Sequence, residues 1–397
     1  MKHVAIVGMG VGTGTLTVEG AAAITQAEVR LGSQRLLDLY HDCTGESIIC
    51  LRPADIATAI RANNANIFAV LVSGDVGFYS ASAGLSDALA DCATVRFLPG
   101  ISTVNALFAR LQLPWQDAAF MSAHGRMPNV ADTVRRNRLT FCLTGGNVNN
   151  IGESLVSAGF RDLTVHVGEN LGSAAERVYT ATAGTLKQGQ YPSLTALVFV
   201  NENFNDRTPT GIPDERFART DGVPMTKSEV RAIVAAKLAL QPDDVCWDIG
   251  AGTGSVTIEM ALSAYRGHVY AIERCADTMP LIGANCRQFH IGNVTPICGA
   301  APDALADLPA PDVVFIGGSG GELAAILQVI WNKNPQARIV VTAVTIETAG
   351  LALAAMQSAG HEPDIVQISA SRGKRAGRVH LMEAMNPITI LSAGGIQ

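Results

Sequence analysis

A chain of 397 residues exceeds what one hydrophobic core usually organises, about 250–300 residues, and so implies two domains. Hydrophobic residues make up 48% and aromatic ones only 5%, which excludes a large disordered tail and points to Ala, Val, Leu and Ile packed in the layers of an α/β fold. A formal charge of -6 excludes a nucleic-acid backbone as main partner, and no run approaches the roughly 18 apolar residues of a membrane span.

In chain order, short β-rich runs alternate with helix-length segments from the start. The first half is expected to hold strands at residues 4–8, 67–73, 95–98, 140–144, 163–168 and 195–201, with helices at 18–28 and 81–90. Residues 201–224, NENFNDRTPTGIPDERFARTDGVP, are rich in Asn, Asp, Thr, Pro and Gly without an apolar period, and read as exposed connector. A second α/β pattern follows: a helix at 227–240, a strand at 245–249, a helix at 256–262 and a strand at 269–273. Later strands are expected at 312–316, 338–342 and 379–383, with Gly373 and Gly377 as a turn signal before the last. Domains are therefore drawn at 1–205 and 223–397 with a linker at 206–222, and the lack of a sequence repeat between them indicates fusion rather than duplication.

Eight cysteines, Cys43, Cys50, Cys92, Cys142, Cys246, Cys275, Cys286 and Cys298, are dispersed without C-x-x-C spacing, so buried reduced thiols and no metal are expected. After Met1-Lys2-His3 the chain enters strand residues with no cleavage signal, the pattern of a soluble cytoplasmic protein.

Two glycine loops carry candidate chemistry. The first, GMGVGTGTLT at 8–17, fails the dinucleotide fingerprint G-x-G-x-x-G, because the third position is Thr13 counted from Gly8 and Thr15 counted from Gly10. Alone it is either a ligand-gripping turn or a tight turn with no ligand. The second, VCWDIGAGTGSVTIEMA at 245–261, sets Asp248 at a strand end before Gly250, Gly252 and Gly254, and Glu273 closes the next strand. In a doubly wound sheet both strand ends face one crevice, so an amino-acid or nucleoside moiety can lie on the glycine backbone while Glu273 accepts hydrogen bonds from ribose hydroxyls. Asp248 suits the ammonium of a methionine moiety, directly or through water.

D-x-G-x-G-x-G with an acidic residue at the next strand end resembles the cofactor loop of class I S-adenosylmethionine (SAM) methyltransferases. Residues 3–202 resemble the tetrapyrrole methylases through the opening loop, VSGDVGFYS at 72–80, LPGISTVNALFARLQLPW at 98–115, SAHGR at 122–126 and VGENLGSAAERV at 167–178. That resemblance implies a SAM site lined by Gly8, Gly10, Asp75, Gly77, Tyr79, Ser102 and Thr103 between two α/β lobes. Val11 and Val76 stand where members usually carry proline, which leaves the loop conformations open. From about Asp221 the chain resembles the precorrin methyltransferase and decarboxylase subunits through GVPMTKSEVR at 222–231, GAAPDAL at 299–305, FIGGSGGEL at 315–323 and the closing NPI at 386–388. Carried over, Thr226, Gly250, Ala251, Gly252, Thr253, Gly254, Glu273 and Ala301 would contact SAM. The fold implied is an N-terminal two-lobed tetrapyrrole methylase domain followed by a doubly wound, Rossmann-like class I methyltransferase domain, the order of the fused precorrin methyltransferases of cobalamin biosynthesis.

This resemblance implies two SAM sites, precorrin-6Y as substrate, methylation at carbon 5 by the first domain, methylation at carbon 15 with loss of the ring C acetate carboxyl by the second, and a homo-oligomer. A related cobalt-precorrin or other tetrapyrrole methyltransferase stays open as an alternative. Methyl transfer from a sulfonium needs alignment and shelter more than a strong acid or base, so no catalytic triad is expected. A carboxylate-rich substrate asks for local cations, which SRGKRAGR at 371–378 offers in Arg372, Lys374, Arg375 and Arg378 if it is not simply a solvated hairpin loop. GGSGG, with Gly317, Gly318, Ser319 and Gly320, would let a flat ring approach backbone or would be an ordinary turn, and His124 and Arg126 are candidates for the first domain's substrate. Two rival readings are a nucleic-acid methyltransferase, which would want an N-P-P-Y-like segment where FIGGSGG stands, and a nucleotide-binding module without chemistry.

Overall fold

The computed structural model describes residues 1–80, 82, 84–125 and 127–395. It comprises two compact units: unit 1 holds Met1–Met127, Arg138–Gly152 and Asp162–Glu202, and unit 2 holds Pro128–Asn137, Glu153–Arg161 and Asn203–Gln397.

Unit 1 contains two five-stranded sheets. The first uses β1 (Lys2–Gly8), β2 (Val29–Gly32), β3 (Glu46–Ile49), β4 (Ile67–Val72) and β5 (Ala93–Leu98) in the order β3-β2-β4-β1-β5, all parallel. A parallel sheet is covered on both faces, which is why β4 reads as the unbroken apolar run IFAVLV. The second uses β6 (Ala119–Ser122), β7 (Leu139–Leu143), β8 (Thr164–Glu169), β9 (Arg177–Thr182) and β10 (Thr195–Val200) in the order β6-β7-β10-β8-β9, with only β6 and β7 parallel.

Unit 2 is built on seven strands: β11 (Val245–Ile249), β12 (His268–Glu273), β13 (Val294–Cys298), β14 (Val313–Ile316), β15 (Arg338–Ala343), β16 (Asp364–Ile368) and a last strand, Ile388–Ala393. Between these two fall β17 (Ser371–Ala376) and β18 (Val379–Ala384), a separate antiparallel hairpin, so the last strand is β19. The order is β13-β12-β11-β14-β15-β19-β16; β19 runs antiparallel to both neighbours, and the other pairings are parallel. Alternation along β11 sends Cys246 to a core with Val234 and Ile258 of the helices Ser228–Leu238 and Ser255–Ser263. Trp247 faces the opposite core with Ile330 and Met356 of the helices Leu323–Lys333 and Ile346–Ser358. Helices thus cover both faces, and the strand order reverses between β11 and β14. At such a switch point the two loops diverge and open a crevice at the carboxyl ends of the strands.

Several expectations need correction. The strand at 379–383 lies in the hairpin, not the main sheet; Gly373 sits inside β17, and the turn falls at Gly377, whose φ of 63° suits glycine. The helix at 81–90 is described only as Leu85–Leu89, since Ala81 and Ala83 lie outside the described residues. Part of the 206–222 linker is built into unit 2: Ile212, Asp214 and Phe217 are each 4% exposed. Among the cysteines Cys142 and Cys246 are buried, but Cys275 and Cys298 are exposed. No group of His, Cys, Asp and Glu suited to a metal, and no helix long and apolar enough to cross a membrane, occurs among the described residues.

Candidate functional site

The crevice of unit 2 has a volume of about 330 Å³, and the carboxyl ends of β11, β12, β13 and β14 all open into it. Its floor is the glycine loop after β11. Gly250, Gly252 and Gly254 have φ of 77°, 55° and 79°, the left-handed region, where side chains are strained. A Cβ on Gly250 would lie 2.7 Å from Gly318 N, so the loops after β11 and β14 touch glycine on glycine. Gly250 and Ala251 donate their N–H groups to Ile272 O at 2.9 and 3.1 Å, so the loop offers its flat glycine surface rather than those donors.

Glu273 ends β12 and lines the crevice. Its Oε2 accepts from Gly252 N and its Oε1 from Cys275 N, both at 2.9 Å, which fixes the carboxylate and leaves further lone pairs for hydroxyl donors. Ala301, Gly317, Gly318, Ser319 and Gly320 line the crevice with it. Thr226, Gly254 and the buried Ala251 and Thr253 do not.

Asp248 departs most from its expected place. It is fully buried beneath the loop, where Oδ2 accepts from the Thr257 hydroxyl and Oδ1 has no partner. Burial, with Glu273 adding a smaller push, raises its carboxyl to about 7. It can act on a bound ammonium only through its field or an intervening group.

Composition and spacing missed the clamp that holds one wall of this crevice. Pro224 lines the crevice, and its carbonyl would be 3.1 Å from a Cβ on Gly252. The segment carrying it is tied down by Arg231, 1% exposed, which pairs with Asp214 (3.0 Å) and Glu259 (2.8 Å) and donates to the carbonyls of Thr226 and Ile212. Glu259 also accepts from Gly211 N and Ile212 N, both at 2.9 Å.

Arg372, expected to grip substrate carboxylates, belongs to this clamp. Its Nη1 is 2.9 Å from Asp214 Oδ2, its Nε donates to Glu229 Oε1 at 2.9 Å, and Glu229 is pulled down to about 2 chiefly by that bond. Lys374 pairs with Glu383 at 3.3 Å, and exposed Arg375 donates to Gly377 O at 3.2 Å. The hairpin therefore spends two of its four expected cations, Arg372 and Lys374, on protein carboxylates.

In unit 1 three glycines meet at strand ends. A Cβ on Gly8, closing β1, would fall 2.6 Å from Gly100 N and 2.9 Å from Gly74 O. Gly10 and Gly74 exchange backbone hydrogen bonds, each of 3.0 Å. Asp75 braces the arrangement: Oδ1 accepts from Gly77 N at 2.8 Å and Oδ2 from Gly100 N at 3.2 Å. Buried Ser102 caps the helix Thr103–Leu111 by accepting from Asn105 N at 3.2 Å. The exposed Tyr79 has a φ of 48°, and its hydroxyl donates to Phe120 O on β6 at 3.3 Å.

Sequence reasoning also passed over Thr15, whose hydroxyl accepts from Val11 N and Gly12 N, both at 3.0 Å, and Glu176, which accepts from Gly172 N at 2.6 Å and pairs with Arg110 at 2.9 Å. A Cβ on Gly172 would lie 2.4 Å from Val11 O, so this turn presses on the opening loop. His124 is exposed just after β6, beside Gly145; Arg126 lies outside the described residues.

A switch-point crevice floored by D-x-G-x-G-x-G and closed by a strand-end carboxylate defines a nucleoside-binding α/β enzyme of the methyltransferase class. Residues 216–394 match the family model described as precorrin methyltransferase domain, and residues 3–187 match that of the tetrapyrrole (corrin/porphyrin) methylases. A precorrin-6Y C(5,15)-methyltransferase [decarboxylating] of Sinorhizobium sp is 33% identical over 360 residues, covering 88% of this chain and 86% of that protein. A probable cobalt-precorrin-6B C(15)-methyltransferase (decarboxylating) of Pyrobaculum calidifontis is 40% identical over 185 residues, 46% of this chain and 95% of its own. The solved C-terminal domain of the Rhodobacter capsulatus precorrin-6Y C5,15-methyltransferase shares 34% identity, covering 47% of this chain and 99% of that chain, with a TM-score of 0.43. The chain belongs to the precorrin-6Y C(5,15)-methyltransferase (decarboxylating) family, whose members are SAM-dependent methyltransferases.

Proposed function

We propose that this chain methylates precorrin-6Y at carbons 5 and 15 and removes the ring C acetate carboxyl, giving precorrin-8X in cobalamin biosynthesis. The observation that carries this reading is likeness to one relative across 88% of the chain, spanning both family matches in the same order. Residues 1–205 would serve carbon 5, and residues 223–397 carbon 15 and the decarboxylation, with residues 206–222 between them.

Each domain is assigned its own SAM site, which supplies a methyl group on a sulfonium leaving group. In unit 2 the chain's part is to bind and orient: Glu273 has lone pairs for ribose hydroxyls, Gly250 and Gly252 let the nucleoside lie flat, and ionised Asp248 favours an ammonium from below. The orphaned Asp248 Oδ1 fits a site meant to hold a cationic group. In unit 1 the assignment rests on the Gly8–Gly74–Gly100 contact and on Gly10, Asp75, Gly77, Tyr79, Ser102 and Thr103 around it. His124 and Arg126 are assigned to substrate there; Gly317, Gly318, Ser319 and Gly320 are assigned to substrate in unit 2, with Arg375 and Arg378 as the hairpin's remaining exposed cations. The electron-rich meso carbon is its own nucleophile, so alignment in a sheltered crevice is the chemistry demanded of the protein.

We place the enzyme in the cytoplasm as a homo-oligomer; the hairpin exposes Val379, Leu381 and Met382, each at least 59% accessible, as an apolar patch for a second copy. Incubation with SAM and precorrin-6Y followed by mass analysis tests the activity. Two added methyls and one lost carboxyl are expected, and a product with its carboxyl retained would overturn the assignment. The relative named for cobalt-precorrin-6B favours a second reading in which the ring carries cobalt, and the same assay with the cobalt-bearing ring decides between them.

A further inference from the structure

A second cleft, of about 270 Å³, lies on the other side of the loop after β14 and shares Gly317–Gly320 with the first as a common wall. The two faces of that wall differ in charge. Glu273, Arg274 and Glu322 line the first cleft, and Arg274 Nη1 would be 3.2 Å from a Cβ on Gly320. Among the described residues lining the second, none is charged: Leu323, Val341 and Val344 supply apolar surface and Thr342, Thr345 and Thr348 supply hydroxyls.

An anionic substrate is ordinarily met by Lys or Arg, so a neutral cleft beside the methyl-transfer site calls for a reason. Decarboxylation supplies one. A cation paired with the departing carboxylate stabilises the ground state more than the transition state, in which the charge has moved away from the carboxyl group. Poor solvation without a counter-ion does the reverse.

Building on the function proposed above, we infer that the second cleft of unit 2 is the decarboxylation subsite, taking the ring edge whose acetate is lost and holding that carboxylate among threonine hydroxyls, where no charged residue lines the cleft among those described. The bond between the acetate methylene and its carboxyl carbon breaks, carbon dioxide leaves, and the electron pair enters the conjugated macrocycle. A proton from water then returns to the methylene carbon, which becomes a methyl group. Neutral hydroxyls orient the carboxylate through hydrogen bonds weaker than those of a guanidinium. The common wall Gly317–Gly320 puts this step next to methyl transfer without moving the ring between distant sites.

The test inserts a cation at constant length. Thr348→Lys and Thr348→Met are compared in the full-length enzyme for carbon dioxide released from precorrin-6Y in the presence of SAM, with SAM binding to each variant measured to verify folding. Both crowd the cleft, but only Lys pairs with the carboxylate, so release by the Lys variant is expected to be lower than by the Met variant by about tenfold or more. Equal release by two variants that bind SAM alike would overturn the subsite while leaving the enzyme's activity assigned. A wild-type enzyme that binds SAM but is inert toward precorrin-6Y would instead overturn the function, and the subsite with it.

Discussion

At Glu273 one carboxylate joins two roles, since it organises the glycine loop through Gly252 N and faces the crevice. Replacing it with alanine removes hydrogen bonds to a charged acceptor, each worth about 1.5–3 kcal/mol. SAM affinity at unit 2 is therefore expected to fall at least about tenfold, with methylation at carbon 15 lost and that at carbon 5 little changed. Equal loss at both carbons would contradict separate sites. Asp248 predicts a pH dependence. Its folded-state value of about 7 lies above the ordinary 3.8, so the folded protein holds this proton more tightly than the unfolded chain. The group's contribution to stability therefore falls as pH rises from about 4 to about 7 and stays lost above that. Affinity for an ammonium-bearing ligand runs the other way, rising as the carboxyl ionises near 7. Calorimetric titration with SAM across this range should show the rise, and Asp248→Asn should flatten both trends.

Among the elements, those with continuous apolar runs were legible: β4, β11 and β14 read plainly as IFAVLV, VCWDI and VVFI. Most strands missed are short, polar or at sheet edges, such as β3 (ESII) and β9 (RVYTAT), where pairing with a neighbour rather than a buried run makes the strand; the interior β19 (ITILSA) was missed as well. The same distinction holds for the candidate sites. That Gly250, Gly252 and Glu273 would face one crevice could be read because local spacing carries the geometry. The clamp could not, because Arg231 meets Asp214 and Glu259 from 17 and 28 residues away only once the fold brings them together. Nothing local distinguished Arg372 as a structural cation from a substrate-binding one. Removing one partner from a buried ion pair typically costs about 3–5 kcal/mol. Arg231→Ala should destabilise unit 2 by that order, read by urea denaturation, and should also weaken SAM binding by releasing the Pro224 wall.

For the whole molecule the sharpest expectation is stoichiometric. The two donor sites proposed for one polypeptide predict two SAM bound per chain. Gly8→Ala, whose Cβ would strike Gly100 N and Gly74 O, should remove one, and Glu273→Ala should weaken the other. Equilibrium dialysis finding a single SAM in the wild-type chain would contradict the two-site reading. Composition limited the possibilities without deciding this: a net charge of -6 spoke against nucleic acid but could not say how many crevices the chain encloses.

The position of β19 has a consequence for biosynthesis. It inserts between β15 and β16 although it is translated after both. Every strand of unit 1 is made by Val200, so its two sheets can form while the ribosome is still at work. Unit 2 must wait, with β15 and β16 parted, until Ala393 has emerged from the exit tunnel. A nascent polypeptide arrested before Ile388 should therefore resist protease in its first half and be cut readily in its second.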